Sequence, residues 1–187
     1  MMSAKQKNLQ FCGFGGQGII LTSVIFGTAA VQGAGLNAVQ TQSFGSEARG
    51  GECQAELILS EDEIKSPLAD RIDLLVAMSQ LALETYLDRL KSGKTLIIDP
   101  GLVERPDRTD ITVVEVNARE VAEEIGQEIV ANMVMLGFLQ QATGLFSKDD
   151  LFGTIEDTVN DKFVEVDLGA AKRGIQIARE QGISLEV

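Results

Sequence analysis

An α/β fold with a mixed, mostly parallel sheet is what this sequence predicts, on three observations. Leu9–Cys12 is a short apolar strand that runs through glycines into a long uncharged helix candidate, Ile19–Val31. Ile72–Met78 and the run from Lys94 to Ile98 read as central parallel strands, because they are apolar almost throughout. Glu52–Leu59 alternates instead, with Cys53, Ala55, Leu57 and Leu59 on one side and Glu52, Gln54 and Glu56 on the other. Period two predicts a half-exposed strand added antiparallel to the sheet.

The remaining elements follow in order. Asn37–Thr41 is the second strand, after a helix stop at Gly33-Ala34-Gly35. Ser79 caps a helix over Gln80–Leu90, with Leu83, Leu87 and Leu90 inward and Gly93 as its end. Asp99 closes a strand and caps the turn at Pro100-Gly101, and the end of a strand is also where α/β proteins place acids for chemistry. Ile111–Val116 is a further strand. Asn117 caps the short helix Arg119–Ile125, and Gly126 separates it from an apolar helix over Glu128–Ala142. Within that helix Asn132 is a polar residue at a core position, which needs partners if buried. Ser147 caps Lys148–Asp157, and a last helix covers about Asp167–Glu180. With short linkers throughout, residues 1–187 read as one domain with a helical C-terminal portion from about residue 127.

Gly13, Gly15 and Gly18 fit G-x-G-x-x-G at a strand-to-helix junction, where that spacing has a mechanism. The first glycine permits the turn, the second lets a backbone or a phosphate come close, and the third brings helix and strand together. Backbone N–H groups and the positive end of the helix dipole then face whatever lies over the loop. The same glycines also serve close packing with no ligand. A nicotinamide site needs an acid at the end of the second strand, and Asn37–Gln42 holds neither Asp nor Glu. A second loop, Gln42 to Gly51, carries Glu47 and Arg49 beside Gly50-Gly51, which suits a carboxylate or phosphate, or a plain Glu47–Arg49 pair.

Composition removes several chemistries. No histidine is present, which excludes imidazole acid–base catalysis and His metal sites within these residues. The two cysteines, Cys12 and Cys53, form no CxxC and cannot supply four thiolates to a cluster; both read as core thiols. A net charge of −12 argues against nucleic acid and anionic membranes, and fits either solubility or a basic partner subunit. Between Lys7 and Glu47 no charge appears, yet the stretch is too polar and glycine-rich for a membrane span. A helix without a charged face is buried on nearly every side, which predicts a covering partner chain. A reducing cytoplasm is the expected location.

Four stretches together resemble one family. Gly13-Phe14-Gly15-Gly16-Gln17-Gly18 follows the first strand, and Ser43 to Gly51, ending Glu-Ala-Arg-Gly-Gly, precedes the antiparallel one. Ser66-Pro67 with Asp73 to Ser79, and Asn132 to Gly137, continue the pattern. From about Phe11 to Lys172 the chain resembles the gamma subunit, or gamma domain, of the 2-oxoacid:ferredoxin oxidoreductases. The resemblance implies a three-layer α/β/α sandwich with a mixed, mostly parallel Rossmann-like sheet. It implies an enzyme that oxidatively decarboxylates a 2-oxoacid with coenzyme A, giving an acyl-CoA and CO2 and reducing ferredoxin. Thiamine diphosphate and the iron–sulfur clusters then belong to alpha, beta and delta-type partner subunits, with none held by this chain alone.

For this chain the resemblance implies assembly, and contact with coenzyme A as a shared ligand. The groups aimed at that ligand are Gly13, Gly15, Gly16, Gln17 and Gly18 of one loop and Glu47, Arg49, Gly50 and Gly51 of the other. No residue is assigned as catalytic. The wording of the second loop favours 2-oxoglutarate or general keto-acid enzymes over the indolepyruvate type. A stand-alone flavin or NAD module remains the alternative reading, and a homodimer is expected when the chain is isolated from its partners.

Overall fold

The computed structural model describes residues 6–44 and 51–185. Six strands form one sheet in the order β2-β3-β1-β4-β5-β6. They are β1 (Lys7–Phe14), β2 (Asn37–Phe44), β3 (Glu52–Ser60), β4 (Ile72–Ala77), β5 (Leu90–Ile98) and β6 (Thr112–Glu115). β1, β4, β5 and β6 are parallel neighbours, while β3 runs antiparallel to both β1 and β2. The mixed sheet expected from sequence is therefore present, with a placement the sequence did not reveal: β2 is pushed to the edge, and β3 takes the place beside β1.

Helices cover both faces and complete three layers. On one face lie α1 (Ile19–Ala34), α3 (Ala118–Ile125), α4 (Ala131–Thr143), α5 (Lys148–Thr158) and α6 (Asp161–Gln181). Leu9, Phe11, Leu57, Leu74 and Ile97 point into that core, against Phe26, Met135, Phe138 and Leu151. Alternate residues of the same strands, Cys12, Leu75, Ala77 and Leu96, meet Ala82 and Leu83 of α2 (Gln80–Tyr86) on the other face.

β3 is not half-exposed. Only Glu52 and Gln54 keep intermediate exposure; Glu56 and Ile58 are buried. Glu56 tolerates this because Arg89, in the 3-10 turn Leu87–Arg89, makes an ion pair with it and also donates to Gln10 Oε1 and the Ala69 carbonyl. A carboxylate facing a guanidinium inside the fold reads in the sequence as an outward residue.

α2 ends at Tyr86, not Leu90, because Leu90 is the first residue of β5. Ile72 faces Leu90 whereas Leu74 faces Thr95, so β5 bulges around Gly93. The glycine read as a helix stop thus sits inside a strand, at φ 75°. The apolar helix begins at Ala131 after a 3-10 turn, Glu128–Val130. α6 starts at Asp161, with Asn160 Oδ1 accepting from the Lys162 amide, so it is longer than the expected span. Ser79 and Ser147 cap α2 and α5 as expected, the latter in a reciprocal box with Asp150.

The uncharged α1 packs on β1, β2 and β3 from one side and is met by α4 and α5 from the other. Much of the cover expected from a partner thus comes from the chain's own α5, whose Thr154 and Asp150 reach Gln32 and Gly33. Among the described residues, no helix is long and apolar enough to cross a membrane.

α4 and α6 make the most intimate helix pair. Gly137 lies against the Ala171 carbonyl, and Gly174 against the Val134 carbonyl, each so close that a methyl group there would overlap the facing backbone. Gly174→Ala is expected to lower unfolding free energy by about 1–3 kcal/mol through overpacking, read by urea titration. Gly153→Ala on α5 meets nothing within 4 Å and is expected to raise it by about 0.5–1 kcal/mol, through helix propensity alone.

Candidate functional site

β1 and β4 are adjacent parallel strands, and the chain leaves them to opposite faces: β1 into α1, β4 into α2. Connections that diverge in this way leave a crevice beyond the strands' C-terminal ends, the general ligand-binding position of open α/β sheets. A cavity of about 540 Å³ lies here, lined by Gly16, Gln17, Met78, Leu102, Arg119 and Ile129 among others.

The loop from Gly13 to Gly18 is held rigidly from beneath. Gln17 folds back under Gly13, where a Cβ would strike its carbonyl oxygen. Its Oε1 accepts from the Phe14 amide at 2.6 Å, and its Nε2 donates to the Met78 carbonyl at 2.9 Å. Met78 in turn donates its amide to the Cys12 carbonyl at 2.8 Å. Gln17 therefore ties the loop to the end of β4. Gly15 receives a backbone as the motif anticipates: its N–H donates to the Gly51 carbonyl at 3.0 Å. Gly18 sits at φ 72° and begins α1. Its missing side chain makes room for the amide of Asn132 on α4, not for the strand.

Of the sequence-predicted residues, the structure thus brings together Gly13, Gly15, Gly16, Gln17, Gly18 and Gly51. Glu47, Arg49 and Gly50 lie outside the described residues. α1 starts without a side-chain cap and without an acid in its first turn. Its leading N–H groups and positive dipole end face the crevice uncompensated by the loop's own side chains.

Two residues complete the rim. Asp99, at the end of β5, is buried and accepts from the Gly101 amide at 2.9 Å and the Arg119 amide at 2.7 Å. It caps the turn, as expected, and also starts α3, a duty the sequence assigned to Asn117. The Asn117 amide instead donates to Glu120. Burial pushes the Asp99 carboxyl above its usual range, and the two N–H donors and the Arg119 charge hold it partly down. Arg119 is the residue sequence reasoning missed. Fixed by Asp99 at the start of α3, it lines the crevice, and among the described residues its side chain is paired only with exposed Glu123, at 2.8 Å. A lone arginine in a charged surface helix carries no local signal; only the topology places it opposite the glycine loop.

Cys12 and Cys53 are free and buried, and burial raises both thiols. Neither is poised as a nucleophile. The crevice is bordered by backbone N–H groups, a helix N-terminus and a guanidinium, groups that suit an anionic ligand, and also by Glu128, which does not.

Comparison with known proteins decides the family. The family described as pyruvate ferredoxin/flavodoxin oxidoreductase matches residues 8–177. The chain belongs to it. A 2-oxoglutarate synthase subunit KorC from Methanothermobacter marburgensis is 43% identical over 182 residues, covering 94% of this chain and 98% of the relative. The corresponding subunit from Methanocaldococcus jannaschii is 40% identical over 178 residues, covering 94% and 95%. The crystal structure of a keto/oxoacid ferredoxin oxidoreductase gamma subunit from Geobacter sulfurreducens matches with TM-score 0.81 and 35% identity, over 93% of this chain and 99% of that one. The sandwich expected of a gamma subunit is therefore the fold observed, and the chain is a gamma-type subunit of this oxidoreductase family. The stand-alone flavin or NAD reading is not favoured.

The Gln17 strut makes a local prediction. Gln17→Ala leaves the Phe14 N–H without its acceptor and unties the loop from β4. Stability is expected to fall by about 1 kcal/mol. Hydrogen–deuterium exchange at Phe14 and the following loop amides is expected to quicken, with the sheet core unchanged.

Proposed function

We propose that this chain is the gamma subunit of a cytoplasmic complex that oxidatively decarboxylates 2-oxoglutarate with coenzyme A, giving succinyl-CoA and CO2 and passing electrons to ferredoxin. Alpha and beta subunits, with a ferredoxin-like delta chain, are its partners. Thiamine diphosphate supplies the carbanion chemistry and iron–sulfur clusters accept the electrons, both in those partners. This chain orients coenzyme A and excludes water at the entrance.

The observation that carries the reading is the preformed anion receptor at the β1/β4 crevice in a chain of this family. Coenzyme A brings phosphates to it. Gly16 and the start of α1 at Gly18 offer backbone and helix N-terminus, and Arg119 a guanidinium; the sequence adds Arg49, beside Gly50-Gly51, as a further candidate. Gln17 acts by holding the loop. The substrate choice is supported by the order of similarity: 40–43% identity to three 2-oxoglutarate synthase subunits, against 26–28% to ketoisovalerate and indolepyruvate oxidoreductase subunits. A solved 2-oxoglutarate:ferredoxin oxidoreductase from Magnetococcus marinus, described with 2-oxoglutarate, coenzyme A and succinyl-CoA bound, shares the fold at TM-score 0.87 and 23% identity; this chain spans 33% of it.

Co-expression with alpha and beta partners, purification through a tag on this chain, and assay of viologen reduction tests the proposal. Reduction is expected to require coenzyme A, to be fastest with 2-oxoglutarate, and to be absent from this chain alone. Arg119→Ala is expected to raise the KM for coenzyme A about tenfold, the worth of one charge-assisted contact, with the KM for the oxoacid unchanged. A complex equally active without the tagged chain would defeat the subunit role.

A further inference from the structure

The two edges of the sheet are built differently. β6 is four residues long and guarded: Arg105 pairs with Glu115, and Gln181 of α6 donates to the Glu115 carbonyl at 3.2 Å. β2, at the other edge, is eight residues long and pairs with β3 without a register shift, from Asn37 opposite Ser60 to Phe44 opposite Cys53. It carries no charge, no proline and no bulge, the devices that keep an edge strand from pairing. Its outer N–H and C=O groups form a template about 27 Å long that another extended strand completes.

The surface beside this edge is neutral too. From Asn8 to Phe44 the sequence holds no Asp, Glu, Lys or Arg, in a chain of net charge −12. A groove of about 260 Å³ runs between α1 and β2, with Val24, Thr28 and Val31 on the helix side and Ala38, Gln40 and Leu57 on the sheet side. Ser23, 0% exposed, borders it as well. Ser23 Oγ and Gln40 Nε2 are buried and make no hydrogen bond among the described residues. Buried polar atoms are almost always satisfied, so these two point to something seated beside them. Phe44 lies on the same face as the groove, opposite core-facing Cys53, and stands 66% exposed near the end of the strand.

Charge selects the occupant. A basic partner gains nothing from a face without acids, and a strongly acidic chain meets its own copy most readily where both are neutral. The edge is also complementary to itself. Residues opposite each other in an antiparallel pair share a face. A ladder centred on Thr41 therefore sets Gln40 opposite Gln42 of the second copy, and Ala38 opposite its Phe44. We propose that two copies of this chain join through β2, antiparallel about a twofold axis at Thr41, so that the two six-stranded sheets become one. Each Phe44 seats in the groove of the other copy beside Ala38, and the exposed Gln42 gives the buried Gln40 amide an acceptor. The acidic turn Glu61-Asp62-Glu63 lies next to Asn37, whose Nδ2 donates to the Glu61 and Asp62 carbonyls. Parallel pairing would bring the two acidic turns together; the antiparallel one sets them at opposite ends of the seam. The interface uses the same patch on both copies and closes at two. It is independent of the coenzyme A reading.

The test is sedimentation equilibrium of the purified full chain at micromolar concentration. The wild type is expected to be a dimer that tightens as salt is raised, because salt screens the repulsion between two acidic chains. Thr41→Lys and Thr41→Glu each set like charges face to face at the axis, and each is expected to weaken the dimer at least about tenfold. Mixed in equal amounts, the two variants are expected to pair with each other as tightly as the wild type, because residue 41 of one copy faces residue 41 of the other. Phe44→Ala is expected to weaken the dimer about tenfold as the loss of a seated aromatic, with an unchanged thermal melt, since the side chain is exposed in the single chain. Thr41 lies opposite Glu56 in the register, so melts are recorded for both charged variants; if either is unfolded, Phe44→Ala and the salt response decide alone. A monomeric wild type, or a dimer that neither Phe44→Ala nor Thr41→Lys weakens, would overturn the proposal. Folded variants that stay apart when mixed would overturn the axis at Thr41. In the assembled complex Thr41→Lys is expected to leave co-purification of the alpha and beta subunits unchanged; loss of those subunits would assign the edge to one of their strands and overturn the second copy.

Discussion

The antiparallel ladder between β1 and β3 is the constraint on which the site depends. It runs the full length of β1 and all but the last residue of β3, from Lys7 opposite Leu59 to Phe14 opposite Glu52. Because the strands are antiparallel, the start of β3 lies beside the end of β1. That juxtaposition is what sets Gly51 against Gly15 and brings two motifs far apart in sequence to one rim. It also explains why the dinucleotide fingerprint lacks its acid. In dinucleotide folds the strand next to β1 runs parallel to it and delivers a carboxylate from its C-terminal end. Here that neighbour is reversed, and its C-terminal end is at the opposite side of the sheet. The acid at the crevice end, Glu52, shares the strand face of Gln54 and Glu56, and it adds to the burial that raises the Cys12 thiol and the Tyr86 hydroxyl on the α2 side. It points away from the start of α1.

The cost of placing β3 inside the sheet is a buried charge. Glu56 lies opposite Gln10 in the register, and Arg89 reaches both. Arg89 can do so because the chain tightens into a 3-10 turn after α2 and then bulges at Gly93 on entering β5. One buried pair thus connects β1, β3 and the turn before β5, and a third group, the Ala69 carbonyl, ties in the segment that precedes β4. Removing one member of such a pair leaves an uncompensated charge inside the fold, which is costlier than never having built the pair. The network is better understood as fixing the place of β3 than as a source of net stability.

This pair also marks the limit of what the sequence could reveal. Strand identities were legible wherever burial was apolar on both faces, as in β4, or where a cap had a short-range signature, as at Ser79 and Ser147. The direction of β3 was legible from its alternation. Its depth was not, since a buried Glu56 and an exposed one look the same until Arg89 is placed 33 residues away. The glycine loop was legible because strand, loop and helix are contiguous. The rest of the rim was not: Arg119 and Asn132 come from two further helices, and only the topology brings them to the glycine loop. Asn132 alone stood out beforehand, as a polar residue in an apolar helix.

The same residues show how this subunit divides labour with its site. Gln17 and Asp99 spend their hydrogen bonds on the chain itself: one ties the glycine loop to β4, the other starts the helix that carries Arg119. The start of α1, which has no side-chain cap, and Arg119, whose pairing is with an exposed glutamate, lie at the crevice. A helix start without a side-chain cap reduces the stability of the free chain, and a ligand that brought anionic oxygens to it would remove that deficit. Binding energy that fills an existing deficit requires little rearrangement of the protein, and a rigid receptor of this kind would suit the proposed role of holding one end of a substrate while its other end reacts elsewhere.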